Sequence, residues 1–101
     1  MPFVWDEEKN RTNKAKHGIR FETATRAFGD PFIVSRYQGF ENGEHRYHAI
    51  ALVDGVTILF VVSTDRKVGL GEVVTRIISA RRAEPAERRI YEEERRANGG
   101  L

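Results

Sequence analysis

Cysteine is missing from all 101 residues, and methionine occurs once. The absence excludes disulfides, thiol nucleophiles and cysteine zinc sites, and it fits a reducing compartment. No apolar run approaches the roughly 20 residues of a membrane helix, and no signal-type hydrophobic region opens the sequence. The expected location is therefore the cytoplasm, with no membrane partner. Walker, GxGxxG, HExxH and GxSxG patterns are all absent, which removes the common nucleotide, zinc-protease and serine-hydrolase readings. His17, His45 and His48 lack the spacing of a zinc-ligand set, so neither metal nor cofactor is expected.

What is present is charge. Charged residues make up 32% of the chain and hydrophobic ones 40%, with Lys and Arg exceeding Asp and Glu by 17 to 15. That balance fits a single globular domain over 1–97, with a frayed tail at 98–101. The small net charge hides clustering. Lys9, Arg11, Lys14, Lys16 and Arg20 follow one another with no acid between them. Arg76, Arg81, Arg82, Arg88 and Arg89 stand against only Glu84 and Glu87. Clustered cations suit a polyanion, although solvated basic faces would look the same.

The segment Trp5-Asp6-Glu7-Glu8-Lys9-Asn10-Arg11-Thr12-Asn13-Lys14-Ala15-Lys16-His17-Gly18 reads as a helix with almost no apolar face. Asp6 is the predicted N-cap, Glu7 and Glu8 complement the positive end, and Gly18 is the left-handed stop. Lys9, Asn13 and Lys16 share one side, which suits an anionic, hydrogen-bonding ligand such as nucleic acid. A second helix through Phe21, Ala24, Thr25 and Phe28 ends at Gly29-Asp30-Pro31.

Strands follow. Phe32 to Tyr37 is β-branched and aromatic, and Gln38 to Gly43 reads as a loop. His45 to Val53 alternates, placing Arg46, His48, Ile50 and Leu52 on one face. Asp54-Gly55 predicts a hairpin before the apolar strand Val56 to Ser63. Thr64 to Glu72 reads as a flexible basic loop, and Val73 to Ala80 as the last strand. A helix from Glu84-Pro85 to Arg96 would dock through Ala83, Ala86, Ile90 and Tyr91. The predicted class is α+β, a small, mainly antiparallel sheet of four to five strands with two N-terminal helices and one C-terminal helix.

Arg76 lies inside an apolar strand, so it either pairs with Glu44 or Glu72 or emerges to hold a phosphate. Arg46 poses the same question, and Arg81 follows a strand end. Metal-free RNA cleavage needs a base for the 2′-hydroxyl, cations for the developing phosphorane charge and an acid for the leaving oxygen. The chain contains all of these residue types.

Trp5-Asp6-Glu7-Glu8-Lys9-Asn10, Asn13, Lys16-His17-Gly18, Phe21, Ala24, Phe28 and Asp30-Pro31 form an ordered pattern. Gly43-Glu44 with Arg46, and Arg76-Ile77-Ile78-Ser79-Ala80-Arg81 with Ala83, Glu87-Arg88 and Tyr91, complete it. Together they resemble the BrnT toxins of type II toxin–antitoxin systems. The resemblance implies a fold similar to RelE ribonucleases and a metal-independent endoribonuclease that cleaves RNA and arrests growth. It also implies a 2:2 complex with a BrnA-type antitoxin, through which the pair would bind operator DNA. On the matching positions, Arg46, Arg76 and Arg81 would stabilise phosphate charge, with His17 and Glu44 as candidates for proton transfer. Lys9, Asn13 and Lys16 would hold RNA, and Arg66 is a possible further contact. The alternative is a non-catalytic module that binds nucleic acid or antitoxin.

Overall fold

The computed structural model describes residues 2–100; Met1 lies outside it, as does Leu101 of the predicted frayed tail. The elements run β1 (Phe3–Val4), α1 (Glu7–His17), α2 (Phe21–Thr25), β2 (Val34–Glu41), β3 (Glu44–Val53), β4 (Thr57–Val68), β5 (Glu72–Arg82) and α3 (Pro85–Ala97). A 3-10 turn over Arg26–Gly29 extends α2. The sheet order is β1-β5-β4-β3-β2. Its consecutive hairpins are antiparallel and β1 joins β5 in parallel, so the sheet is mixed.

Each face of the sheet carries its own apolar cluster. Ala51, Val53, Leu59, Val61, Ile77 and Ala80 pack with Ile19, Phe21, Ala24 and Ala27 beneath α2. On the reverse, Ile50, Phe60, Leu52 and Ile58 pack with Ala83, Ile90 and Tyr91 beneath α3. Tyr91 is the buried centre of the α3 contact, whereas Ala86, assigned to the docking stripe, is exposed. Its hydroxyl donates to Asp30 Oδ2 at 2.5 Å. The second carboxylate oxygen accepts from the Phe32 amide, and Oδ2 also accepts from the Leu52 amide. One aspartate thereby ties α3 to the loop before β2 and to β3.

The first helix has the predicted ends. Asp6 accepts from the amides of Glu8 and Lys9, and Gly18 stops the helix with φ 74. Its docking is polar. Asn10 accepts from the Phe21 amide and donates to Glu22. Asn13 donates to the carbonyls of Ile19 and Ala80 and accepts from the Ala80 amide. Because β1 pairs β5 only at Thr75 and Arg76, the Ala80 backbone would otherwise be an open sheet edge. The Asn13 amide closes it. Asn13 is 7% exposed, so its expected RNA contact is corrected: its donors and acceptor are turned inward.

Two predicted loops are strand. β4 continues through Val68, where Thr64–Val68 pairs with Glu72–Arg76 around Gly69-Leu70-Gly71. β2 continues to Glu41, with a register shift between Tyr37 and Gly39 and a turn at Asn42-Gly43. Both hairpin ends extend past the helices, so burial does not impose an apolar alternation there. A second shift changes β5. Val62 pairs with Ser79 while Ser63 pairs with Ile77, leaving Ile78 as a bulge. Simple alternation would place Arg76 and Arg81, five positions apart, on opposite faces. The bulge returns both to the α3 face.

The last turn is also bonded. The amides of Asn98, Gly99 and Gly100 donate to carbonyls of Glu94, Arg95 and Arg96, which closes α3. No helix among the described residues is long and apolar enough to cross a membrane.

Candidate functional site

The helix α3 covers only part of its face of the sheet. Beyond Ile50 and Phe60 the same face becomes polar, and the strand register fixes who stands beside whom. Arg46, Thr64 and Arg76 form one cross-strand row on β3, β4 and β5. His48 and Val62 form the next, flanked by Arg36 on β2 and Ser79 on β5. Beyond it, Ile50, Phe60 and Arg81 form a third.

Glu44 is the buried anion of this surface, at 7% exposure. Its carboxylate receives Arg76 Nη2 at 2.5 Å and the Thr64 hydroxyl at 3.3 Å, and lies 3.5 Å from Arg66 Nε. Glu44, Arg66 and Arg76 line a hollow of about 330 Å³ with Val4, Val68 and Val74. The ion-pair alternative for Arg76 is therefore realised with Glu44, not Glu72. It does not use the whole guanidinium: Arg76 Nε is buried without a hydrogen-bond partner among the described residues. Arg46 Nε is in the same condition, since Glu41 approaches to 3.4 Å without hydrogen-bond alignment. A buried donor without an acceptor costs about 1–3 kcal/mol, and an oxyanion would relieve it.

Arg81 is held from two sides. Glu87 at the start of α3 grips its guanidinium in bidentate fashion, at 2.8 and 2.9 Å. Below, the guanidinium lies 4.3 Å from the centre of the Phe60 ring. The Arg81 hydrogen bonds hold the Glu87 carboxyl below its ordinary value, and Glu87 in turn raises Arg81. The Glu84 amide also donates to Glu87, so the same carboxylate caps α3 and anchors the end of β5.

The structure brings Arg46, Arg66, Arg76, Arg81 and Glu44 onto one face. The α1 residues stand along the adjoining β5 edge, where Asn13 binds the Ala80 backbone next to Arg81. Asn10 and Asn13 fasten α1 to Phe21, Ile19 and Ala80, on the α2 side and along the β5 edge. Lys9 and Lys16 are exposed and His17 half-buried, and no hydrogen bond or ion pair joins any of their side chains to the arginine face among the described residues. Trp5 packs edge-on against Phe21 at 6.2 Å and donates to Glu7, a supporting position for the helix.

Arg36 and His48 also stand on the arginine face and had not been singled out. The signal for His48 was present, because two-residue alternation in β3 already groups Arg46 with His48. His45 faces the other way, where it meets the Tyr37 hydroxyl at 3.0 Å and the Phe40 ring.

The surface is thus a group of guanidiniums on a β-sheet face, two of them with buried, unmet Nε donors, set among carboxylates. The profile for "Ribonuclease toxin, BrnT, of type II toxin-antitoxin system" matches residues 5–87, which include all of these groups. The chain belongs to the BrnT family. The crystal structure of the Brucella abortus ribonuclease toxin BrnT is similar to it, with 29% sequence identity and a TM-score of 0.56. That similarity covers 83% of this chain and 97% of the Brucella chain. A comparison with curated proteins gives no match. Membership of BrnT makes this a ribonuclease toxin by family, with an antitoxin as the partner and RNA as the substrate that the family description implies.

Proposed function

We propose that this BrnT protein is a metal-independent endoribonuclease of the cytoplasm, cutting RNA by attack of a 2′-hydroxyl on the adjacent phosphate. The observation that carries the proposal is the Arg46–Thr64–Arg76 row, where two buried Nε donors lack acceptors on a face that also holds Arg81. Cleavage by this route needs no bound hydroxide. It needs the phosphate gripped and its extra transition-state charge neutralised, and guanidiniums already fixed by neighbours do both at little reorganisation cost.

In this reading Arg46 and Arg76 take the phosphate oxygens, and Arg81 supplies charge from the α3 end. Glu44 aims Arg76; held by Arg76, Arg66 and Thr64, it is poorly placed to move a proton. Arg66 guides the RNA backbone toward the site. Lys9, Lys16 and His17 serve RNA only where it extends around the β5 edge toward α1. A RelE-like descent of the fold, a BrnA-type antitoxin in a 2:2 complex and autorepression through operator DNA complete the proposal.

The test is cleavage of a defined RNA by antitoxin-free protein in EDTA, with Arg76→Ala beside it. The wild type should cut, and Arg76→Ala should lower kcat by ~100-fold or more with a smaller change in RNA affinity. A wild type that binds RNA without cutting it and does not arrest growth on expression would instead support the non-catalytic module.

A further inference from the structure

His48 occupies a distinctive position on the arginine face. Two carboxylates there are held in hydrogen-bonded ion pairs, Glu44 by Arg76 and Glu87 by Arg81, while the exposed Glu41 stands 3.4 Å from Arg46 Nε. His48 has no such ion pair among the described residues. It is half-buried, and its ring stands edge-on to Phe60 with centroids 5.0 Å apart. Phe60 is also the ring under the Arg81 guanidinium. One aromatic platform therefore sets the imidazole and a cation side by side, and Arg46 lies two residues along on the same strand face.

From this geometry we propose that His48 is the general base of the cleavage, taking the proton of the attacking 2′-hydroxyl while Arg46, Arg76 and Arg81 hold the phosphate. The inference rests on the ribonuclease reading above and names a catalytic residue for it. In the step, the imidazole nitrogen accepts the 2′-OH proton as O2′ bonds to phosphorus. The P–O5′ bond breaks with its electron pair on O5′, which takes a proton from a water molecule. The imidazolium then returns its proton to the resulting hydroxide. The products are a 2′,3′-cyclic phosphate and a 5′-hydroxyl.

The surroundings keep the base in its working form. Burial and then Arg46 lower the histidine from its ordinary value, Arg81 acts in the same direction, and Glu87 opposes them. Arg36, opposite His48 on β2, adds a further positive neighbour in the register. From β4 the ring meets Phe60, which does not titrate. The imidazole is therefore neutral at pH 7 and can accept a proton.

The experiment measures kcat and KM against pH, in EDTA, for the wild type and His48→Gln, with the wild-type His48 imidazole titrated separately by NMR. The expected wild-type kcat/KM profile has an acidic limb whose midpoint coincides with the His48 titration in the free protein. His48→Gln should lose that limb and at least ~100-fold in kcat at pH 7, with RNA affinity little changed. A limb retained by His48→Gln, an unchanged kcat, or a wild-type midpoint that differs from the His48 titration overturns the inference while leaving the ribonuclease reading intact. A wild type that does not cleave overturns both. The NMR comparison uses only wild-type protein, so it does not depend on how the variant folds.

Discussion

Asn13 and Tyr91 show how single polar groups fix the framework under the arginine face. Asn13→Ala removes partners from the Ile19 and Ala80 carbonyls and from the Ala80 amide, all at a buried edge. The expected cost is about 3 kcal/mol, read as a lower urea midpoint at unchanged m value. Asn13→Asp keeps the acceptor and loses the donors, so it should recover little. Tyr91→Phe loses the bond to Asp30, which retains its backbone donors from Phe32 and Leu52. About 1.5 kcal/mol should be lost, a fall in Tm of roughly 5–10 °C. Desolvation, reinforced by Asp30, pushes the Tyr91 hydroxyl up from 10.0 to about 12. Folding therefore favours the protonated phenol. Its contribution is complete below pH 10 and is lost as pH rises toward 12, so the alkaline decline in wild-type stability should be shallower in Tyr91→Phe.

At the scale of elements, Glu87 joins the end of β5 to the start of α3, and its contribution has a definite pH sign. Arg81 hydrogen bonding lowers its carboxyl from 4.5, so the stabilisation is present above that value and lost as pH falls through the folded-state value. Glu87→Gln should flatten the acid side of the stability curve. It should also slow RNA cleavage, because Arg81 loses its bidentate clamp while keeping the Phe60 ring beneath it. The caps, the two N-terminal helices, the Asp54-Gly55 turn and the α3 span were legible because each rests on local chemistry. The extended ends of β2 and β4 were not, since no helix covers them and polar residues are free to occupy both faces. The Ile78 bulge was equally hidden: an apolar run such as Ile77-Ile78 carries no mark of where register slips. Without that slip Arg76 and Arg81 cannot be placed on one face. The inward amides of Asn10 and Asn13 escaped for another reason, because an asparagine reads as surface until its backbone partners are known.

Across the whole molecule, the positive charge that matters is a small part of the total. Lys and Arg exceed Asp and Glu by 17 to 15, yet Arg36, Arg46, Arg66, Arg76 and Arg81 converge on one side of the sheet. The α1 lysines form a second basic group, on a helix fastened beside the β5 edge. The two groups make different demands on salt. Each phosphate neutralised on a single strand contributes about −0.7 to the slope of log Kobs against log salt. If a short RNA is held by the arginine face alone, Arg66→Ala should make that slope shallower by ~0.7, whereas Lys9→Ala and Lys16→Ala should leave it unchanged. Lengthening the RNA should bring the α1 lysines into play, steepening the wild-type slope and making it sensitive to their removal. A Lys16→Ala effect already present with the shortest cleavable RNA would place α1 at the reacting phosphate and defeat the division. Binding titrations across a salt series, with RNA length as the second variable, therefore measure how far the substrate path extends from the arginine row.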